Sequence, residues 1–481
     1  MATKKQSGQV FTPSYLVCDI LDIAGYVGMP ILRKHIIDNS CGDGAFLQEI
    51  VQRYCVAFLQ QSTDLQALKQ ELATYIHGIE LDGVAYNQCI RNLDKKVSEW
   101  DVSDVKWDIL HTDALAVSKF DGKMDYVVGN PPYVRVHNLV DNYQSIKQLH
   151  FTQGGMTDMY LAFYEIGFQM LCTGGKLCYI TPSSWINSVA GGQLRQYIRA
   201  NKNLVKLVDL EHFQPFEATT YTMIALFEKD VAHEEFTYCT YVGDKHIILV
   251  KDCLTIEETM INNYMYLADR QTLATLRKIF ASAHTQYVQV KNGFATLADS
   301  VFIHSDFPFT EHVIPVIKAS TGKWYKAFYP YNRDGKPLPK ELVFSSPAIR
   351  DYLFQNKDSL LKGHTDGECP EWYLYGRTQA LKDVWADKYA INSLLINQES
   401  IKLEKVPRGA GIYSGLYILT ELDEDALRSI IFSDEFVGFV RILRHYKSGG
   451  YYTFSSKELE QYINYKLSTN ENQRNLFSIE Q

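Results

Sequence analysis

Cysteine is sparse and unpatterned in this chain of 481 residues. Nine are scattered with no C-x-x-C pair, so neither a zinc knuckle nor a disulfide framework is indicated, and no metal site is expected. Long apolar runs are lacking as well. The longest are short, such as Ile247–Val250 and Val205–Leu210, the second interrupted by Lys206 and Asp209. A bilayer span needs ~20 apolar residues, so no membrane partner is expected. Met1–Gly8 is polar and no apolar stretch follows it, so no secretory signal is visible and a reduced, cytoplasmic protein is the expectation. An excess of positive charge is also absent. Lys and Arg number 48 against 56 Asp and Glu, a net charge of -8. Up to Asp230 the balance is 20 to 25, and beyond it 28 to 31, so neither half is basic. A protein that coats nucleic acid by electrostatics alone is basic, and any such contact here must be local and specific.

What is present is a globular composition, 46% hydrophobic and 22% charged, over a length that fits several domains. Short apolar runs at His35–Asp38, Tyr75–Leu81, Val105–Leu110, Met124–Gly129, Lys176–Thr181, Leu204–Leu210 and Thr222–Glu228 read as strands. Helical periods at Gly44–Phe58, Ala85–Leu93, Met159–Leu171 and Gln193–Ala200 lie between them. The alternation predicts an α/β fold, a doubly wound parallel sheet with its ligand sites at the strand carboxyl ends. Leu204–Leu210 and Thr222–Glu228 have no helix between them and are expected to close the sheet as an antiparallel pair. Past Asp230 the texture changes. A helical stretch at Asn263–Phe280 precedes short strands at Gly322–Tyr331, Trp372–Gly376, Gly409–Ile418 and Gly449–Phe454, predicting a mixed α+β domain. The division is placed after residue 250, giving domains over 1–250 and 251–481.

The chemistry concentrates at Gly129-Asn130-Pro131-Pro132-Tyr133, directly after a predicted strand. The prolines fix φ and remove backbone donors, so the Asn130 side chain and the Pro131 carbonyl stand as two fixed acceptors beside the ring of Tyr133. Such a site suits a planar amine with two N–H donors. A tight turn with a packed tyrosine is the plainer alternative. Upstream, Asp38-Asn39-Ser40-Cys41-Gly42-Asp43-Gly44-Ala45-Phe46-Leu47 reads as strand, glycine turn and helix, where the backbone can approach a ligand. Leu47 replaces the third glycine of the dinucleotide fingerprint, and Glu80 lies well beyond the ~20-residue spacing of a NAD site. Glu80 can still accept from both hydroxyls of a ribose, and Asp113 from an adenine amine.

In their order along the chain these segments resemble the N6-adenine DNA methyltransferases of the gamma arrangement. Gly8–Pro13 resembles motif X, Asp38–Leu47 motif I, Ile79–Asp82 motif II and Ile109–Ala114 motif III. Asn130-Pro131-Pro132-Tyr133 is similar to motif IV at every position, Asp158–Glu165 to motif V, Gly174–Trp185 to motif VI and Phe216–Phe227 to motif VIII. Asn292–Ala298, Tyr375–Arg377 and Gly449–Phe454 resemble segments of target recognition domains. The resemblance implies a Rossmann-like S-adenosylmethionine-dependent sheet followed by a mixed α+β DNA recognition domain. It implies Asn130, Pro131, Pro132 and Tyr133 as catalytic and Phe216 as packing on the target base. Cofactor contacts are implied for Thr12, Asp38, Ser40, Cys41, Gly42, Gly44, Phe46, Glu80, Leu81, Asp113, Ala114 and Asn130. Double-stranded DNA is the implied partner, with a separately encoded restriction endonuclease as a second and a nucleoid-associated bacterial setting. The rival readings are an RNA adenine-N6 or protein-glutamine methyltransferase, and a modification subunit that needs a separate specificity partner. The stretch Gln52–Ala73 departs from the pattern as a long connection between motifs I and II.

Overall fold

A computed structural model describes residues 12–134, 146, 148–155, 157–216, 220–281, 286–362 and 371–478. It contains two compact units, Met1–Ala274 and Thr275–Gln481, where the sequence suggested a division after residue 250. Gly8–Phe11 of the motif X match and residues 217–219 of the motif VIII match lie outside the described residues.

The first unit is built on nine strands: β1 (Ile36–Asp38), β2 (Ile76–Glu80), β3 (Asp108–His111), β4 (Met124–Gly129), β5 (Leu171–Pro182), β6 (Leu204–Asp209), β7 (Thr222–Glu228), β8 (Phe236–Val242) and β9 (Ile247–Leu254). They run in the order β3-β2-β1-β4-β5-β7-β6-β8-β9. β1 pairs in parallel with both β2 and β4, so the strand order turns around at β1 and β4. A crevice opens at such a switch point, outside the strand carboxyl ends. β7 runs antiparallel between β5 and β6 as the pattern suggested, but it does not close the sheet. β8 joins β6 in parallel and β9 joins β8 antiparallel, two strands that the sequence reading stopped short of. β9 opens with the apolar run Ile247–Val250, yet as an edge strand it leaves most of its side chains exposed.

Helix α1 (Ser14–Ala24) buries Leu16, Val17, Ile20 and Leu21 along one face and stops at Gly25, whose φ is 76°. Helix α2 (Ala45–Leu59) follows Gly44. Helix α3 (Leu65–Tyr75) is started by Asp64, whose carboxylate accepts from the amides of Gln66 and Ala67. The long connection Gln52–Ala73 is therefore the end of α2 and most of α3. Asp82 caps helix α4 (Gly83–Val97) in the same way, through Val84 and Ala85. These helices share one core with β1 and β2, in which Ile36, Leu47, Ile50, Tyr54, Leu72 and Ile76 are fully buried.

The second unit carries two four-stranded sheets. One orders Gln289–Asn292, Leu416–Leu419, Lys388–Ile391 and Leu403–Val406. The other orders Ile303–His304, Lys323–Phe328, Val313–Lys318 and Gly411–Tyr413. An aromatic core including Phe294, Phe302, Phe328, Tyr329 and Tyr375 fills this α+β unit. Trp372–Gly376 forms turns instead of the strand its aromatic run suggested, with Trp372 to Tyr375 all buried. Among the described residues no helix is long and apolar enough to cross a membrane, and no cluster of three metal-ligating side chains occurs.

Candidate active site

The carboxyl ends of β1, β2 and β4 bring the sequence-predicted residues into three small groups. The first surrounds the turn after β1. Asp38 is buried, and its Oδ1 accepts from the Ser40 amide at 3.1 Å. The Glu80 carboxylate is held by two backbone amides, Gly42 at 2.8 Å on one oxygen and Asp82 at 2.7 Å on the other. A carboxylate has about four acceptor sites, so Glu80 retains capacity for a bound diol while it anchors the turn. Gly42 has φ 55° and nothing within 4 Å of where a Cβ would stand. At Gly44, with φ 89°, a Cβ would stand 2.8 Å from the Cys89 sulfur, so only glycine fits.

Burial pushes the Asp38 carboxyl up from 3.8 to about 7. The negative charge of Glu80 adds to this and the Ser40 amide opposes it. Because the folded-state value lies above the unfolded one, the folded protein binds this proton more tightly. The resulting stabilisation is complete below about pH 4 and is lost as the pH rises through about 7. Asp38→Asn removes the titration. Between pH 4 and 7 the urea midpoint of the wild type is expected to fall relative to that of Asp38→Asn, by an equivalent of about 3 kcal/mol. Parallel pH profiles for the two proteins would refute it.

The second group joins motif X to motif IV. The Asn130 amide Nδ2 donates to Thr12 Oγ1 at 3.1 Å, and Thr12 is buried. The third group orients the aromatic rings. The Tyr133 hydroxyl donates to the Ile180 carbonyl at 3.2 Å, and its ring lies edge-on to Phe216, with centroids 6.3 Å apart at 75°. Tyr133 is thus fixed by its hydroxyl as well as by its ring, a contact that its place in the motif did not reveal.

The remaining predicted residues have these surroundings. Phe46 is buried in the core on the first turn of α2. The Cys41 amide donates to the Ile79 carbonyl at 3.0 Å, and its thiol is held up by contact with Cys89 and by burial. Asp113 accepts from the Leu115 amide at 3.0 Å, capping a short helix that starts at Ala114. Leu81, beside Glu80, is 64% exposed, which leaves an apolar platform next to the carboxylate. Sequence reasoning missed Asn39 and Tyr179. The Tyr179 hydroxyl donates to Asn39 Oδ1 at 2.9 Å, both buried, which braces the turn from behind. A polar residue directly after a buried strand was the available signal for Asn39.

A cofactor with a ribose, an adenine ring and a charged tail needs a diol acceptor, an apolar face and a turn whose backbone it can approach. Glu80, Leu81 and Gly42 supply these. Ser40 Oγ is buried with no hydrogen-bond partner among the described residues, as expected of a group that completes its bonding with a ligand. The residues fit S-adenosylmethionine.

The Eco57I restriction-modification methylase family matches residues 52–216. The type II methyltransferase M.PaeR7I of Pseudomonas aeruginosa is 25% identical over 94% of this chain and 85% of its own. The type II restriction enzyme and methyltransferase RM.Eco57I of Escherichia coli is 23% identical over 81% of this chain and 49% of its own. M.BstVI of Geobacillus stearothermophilus is 27% identical over 54% and 48%. The chain therefore spans about half the length of RM.Eco57I and M.BstVI. Among solved structures, the type IIL restriction-modification enzyme MmeI in complex with DNA is similar in fold, with a TM-score of 0.64 at 12% identity. That match covers 92% of this chain and 63% of that one. The chain is thus similar to the type II restriction-modification methyltransferases, and its first unit has the α/β fold of the S-adenosylmethionine-dependent methyltransferases.

Proposed function

We propose that this chain is a site-specific DNA methyltransferase that methylates N6 of an adenine flipped out of double-stranded DNA. The observation that carries the reading is the placement of Asn130-Pro131-Pro132-Tyr133 at the end of β4. In the sheet register Asp38 lies opposite Val128, so this segment begins beside the cradle formed by Asp38, Gly42 and Glu80. S-adenosylmethionine supplies an electrophilic methyl group on a sulfonium. The rest is positioning by this chain. The Asn130 amide oxygen and the Pro131 carbonyl accept the two N–H bonds of the target amine. That draws its nitrogen toward sp³ geometry and aims the lone pair, work done by orientation and fixed dipoles without a strong base. Unstacking the base costs a few kcal/mol. Stacking on an aromatic ring such as Tyr133, with Phe216 beside it, offsets about 1–3 kcal/mol.

The likeness to restriction-modification methyltransferases supports a DNA substrate, and the second unit is assigned to choosing the target sequence. A separately encoded restriction endonuclease is the proposed partner. Expression in a host free of DNA methylation, followed by single-molecule sequencing of its genome, tests the proposal. Modified adenines in one sequence context are expected from the wild type and far fewer from Asn130→Ala. A genome without modified bases sinks it.

Glu80 gives a separate check on the cofactor assignment. Glu80→Ala removes a charged acceptor and the tether of the Gly42 turn together. If two charge-assisted hydrogen bonds of about 1.5–3 kcal/mol are lost, affinity for S-adenosylmethionine falls ~10-fold or more. An unchanged calorimetric dissociation constant removes Glu80 from the site.

A further inference from the structure

In the second unit, two segments far apart in sequence meet at one exposed point. The Gly376 amide donates to the Thr296 carbonyl at 3.0 Å, and the rings of Phe294 and Tyr375 pack with centroids 5.4 Å apart. Leu297 lies directly over Gly376. A Cβ there would stand 2.4 Å from the Leu297 side chain, so only glycine lets the two chains approach this closely. Leu297 itself has φ 59°, a left-handed backbone that a branched L-residue adopts at a cost, and it is 51% exposed. An apolar side chain on a strained backbone, half in water, gains little from folding. Strain of this kind collects where a residue is held for a purpose other than stability.

Arg377 is the next residue. Elsewhere in this unit Arg408 pairs with Asp387, Arg428 pairs with Glu424 and Arg333 lies over the Trp385 ring. Arg377 is exposed and makes no hydrogen bond or ion pair among the described residues. Its base is rigid. Tyr375 is buried, its hydroxyl donates to the Phe328 carbonyl at 2.8 Å, and its amide donates to the Tyr331 hydroxyl at 2.7 Å. The arrangement presents an uncommitted guanidinium and a protruding apolar side chain from one fixed point. A guanidinium fork matches O6 and N7 of guanine, and an apolar side chain suits a thymine methyl or an opened base step.

Resting on the reading of the chain as a DNA methyltransferase, we propose that Leu297 and Arg377 form one reading tip. Arg377 donates two hydrogen bonds to a guanine in the recognition sequence, and Leu297 packs against the neighbouring base step. The full chain and its Arg377→Ala, Arg377→Lys and Leu297→Gly variants are expressed in a methylation-free host, and the modified sequences are read from its genome. Arg377→Ala and Arg377→Lys are expected to relax the motif at one guanine, by about 5- to 150-fold in preference. Leu297→Gly relieves the backbone strain, so its melting temperature is expected to hold or to rise by about 2–4 °C. Its methylation of the wild-type motif should nevertheless fall at least ~10-fold. A residue of purely structural importance would not separate the two readouts in this direction. A wild-type motif without guanine overturns the proposal, as do variants that methylate the wild-type motif unchanged. Arg377→Ala weakened equally at all sequences overturns base reading by Arg377. A wild type that modifies no DNA overturns the methyltransferase reading itself, a result distinct from these.

Discussion

Asn130→Ala is expected to lower single-turnover methyl transfer by about 10²–10³ while S-adenosylmethionine binding stays within a few-fold of the wild type. Loss of one preorganised group that meets developing charge commonly costs this much. The geometry adds a reason for the effect to fall on turnover. An amide has one donor end and one acceptor end, and Nδ2 is engaged by Thr12 Oγ1 at 3.1 Å. A hydroxyl can rotate to accept, so the amide plane is set while the acceptor end turns away from Thr12. Removing the amide costs the substrate amine its oriented partner but takes nothing from the Glu80 and Gly42 cradle. Rapid-quench measurement of one turnover, with enzyme in excess over DNA, separates the two. A wild-type rate in Asn130→Ala would falsify the catalytic assignment of the whole segment.

Gly129→Ala, one residue earlier, is expected to destabilise the first unit by ~2–5 kcal/mol and to abolish cofactor binding. Gly129 has φ 150°, and a Cβ there would stand 2.8 Å from Asp38 Oδ1. Backbone strain of this kind costs about 1–3 kcal/mol and overpacking a buried site about the same again. Asp38 cannot yield easily, because it is buried and its Oδ1 already holds the Ser40 amide. Gly122→Ala is the control, since it also replaces a glycine of positive φ but meets nothing within 4 Å. Urea denaturation of both variants reads the difference. Equal midpoints would show that the close approach of β1 and β4 is not what Gly129 serves.

The parts of this architecture visible in the sequence are those written in local pattern. β1, β2 and β4 are short, largely buried strands rich in Ile and Val, and their ends carry Asp38, Glu80 and Asn130 in a spacing that chain order alone arranges. What stayed hidden depends on distant partners. Asn130 and Thr12 are 118 positions apart, and nothing near either announces the bond between them. The Tyr133 hydroxyl finds a backbone carbonyl, which any residue at position 180 would offer. Helix α3 leaves little trace in the sequence because few of its side chains are buried, Leu68 and Leu72 among them, so its apolar stripe is thin. Val105–Leu110 reads as a strand, yet β3 begins three residues later at Asp108, because Val105 is buried in the core while lying outside the strand.

The strand order also sets a timetable for synthesis. β1 is made early, yet one of its neighbours is β4, where Ile36 finds Tyr126, and β4 in turn waits for β5, where Gly129 finds Tyr179. A growing chain therefore carries the glycine turn long before the strand that fixes Asp38 has emerged, and Ile180, which holds Tyr133, comes later still. Pairings of such sequence separation form slowly because the loop must close before any contact rewards it. The nascent protein holds the pieces of its cofactor cradle apart until β5 has left the ribosome.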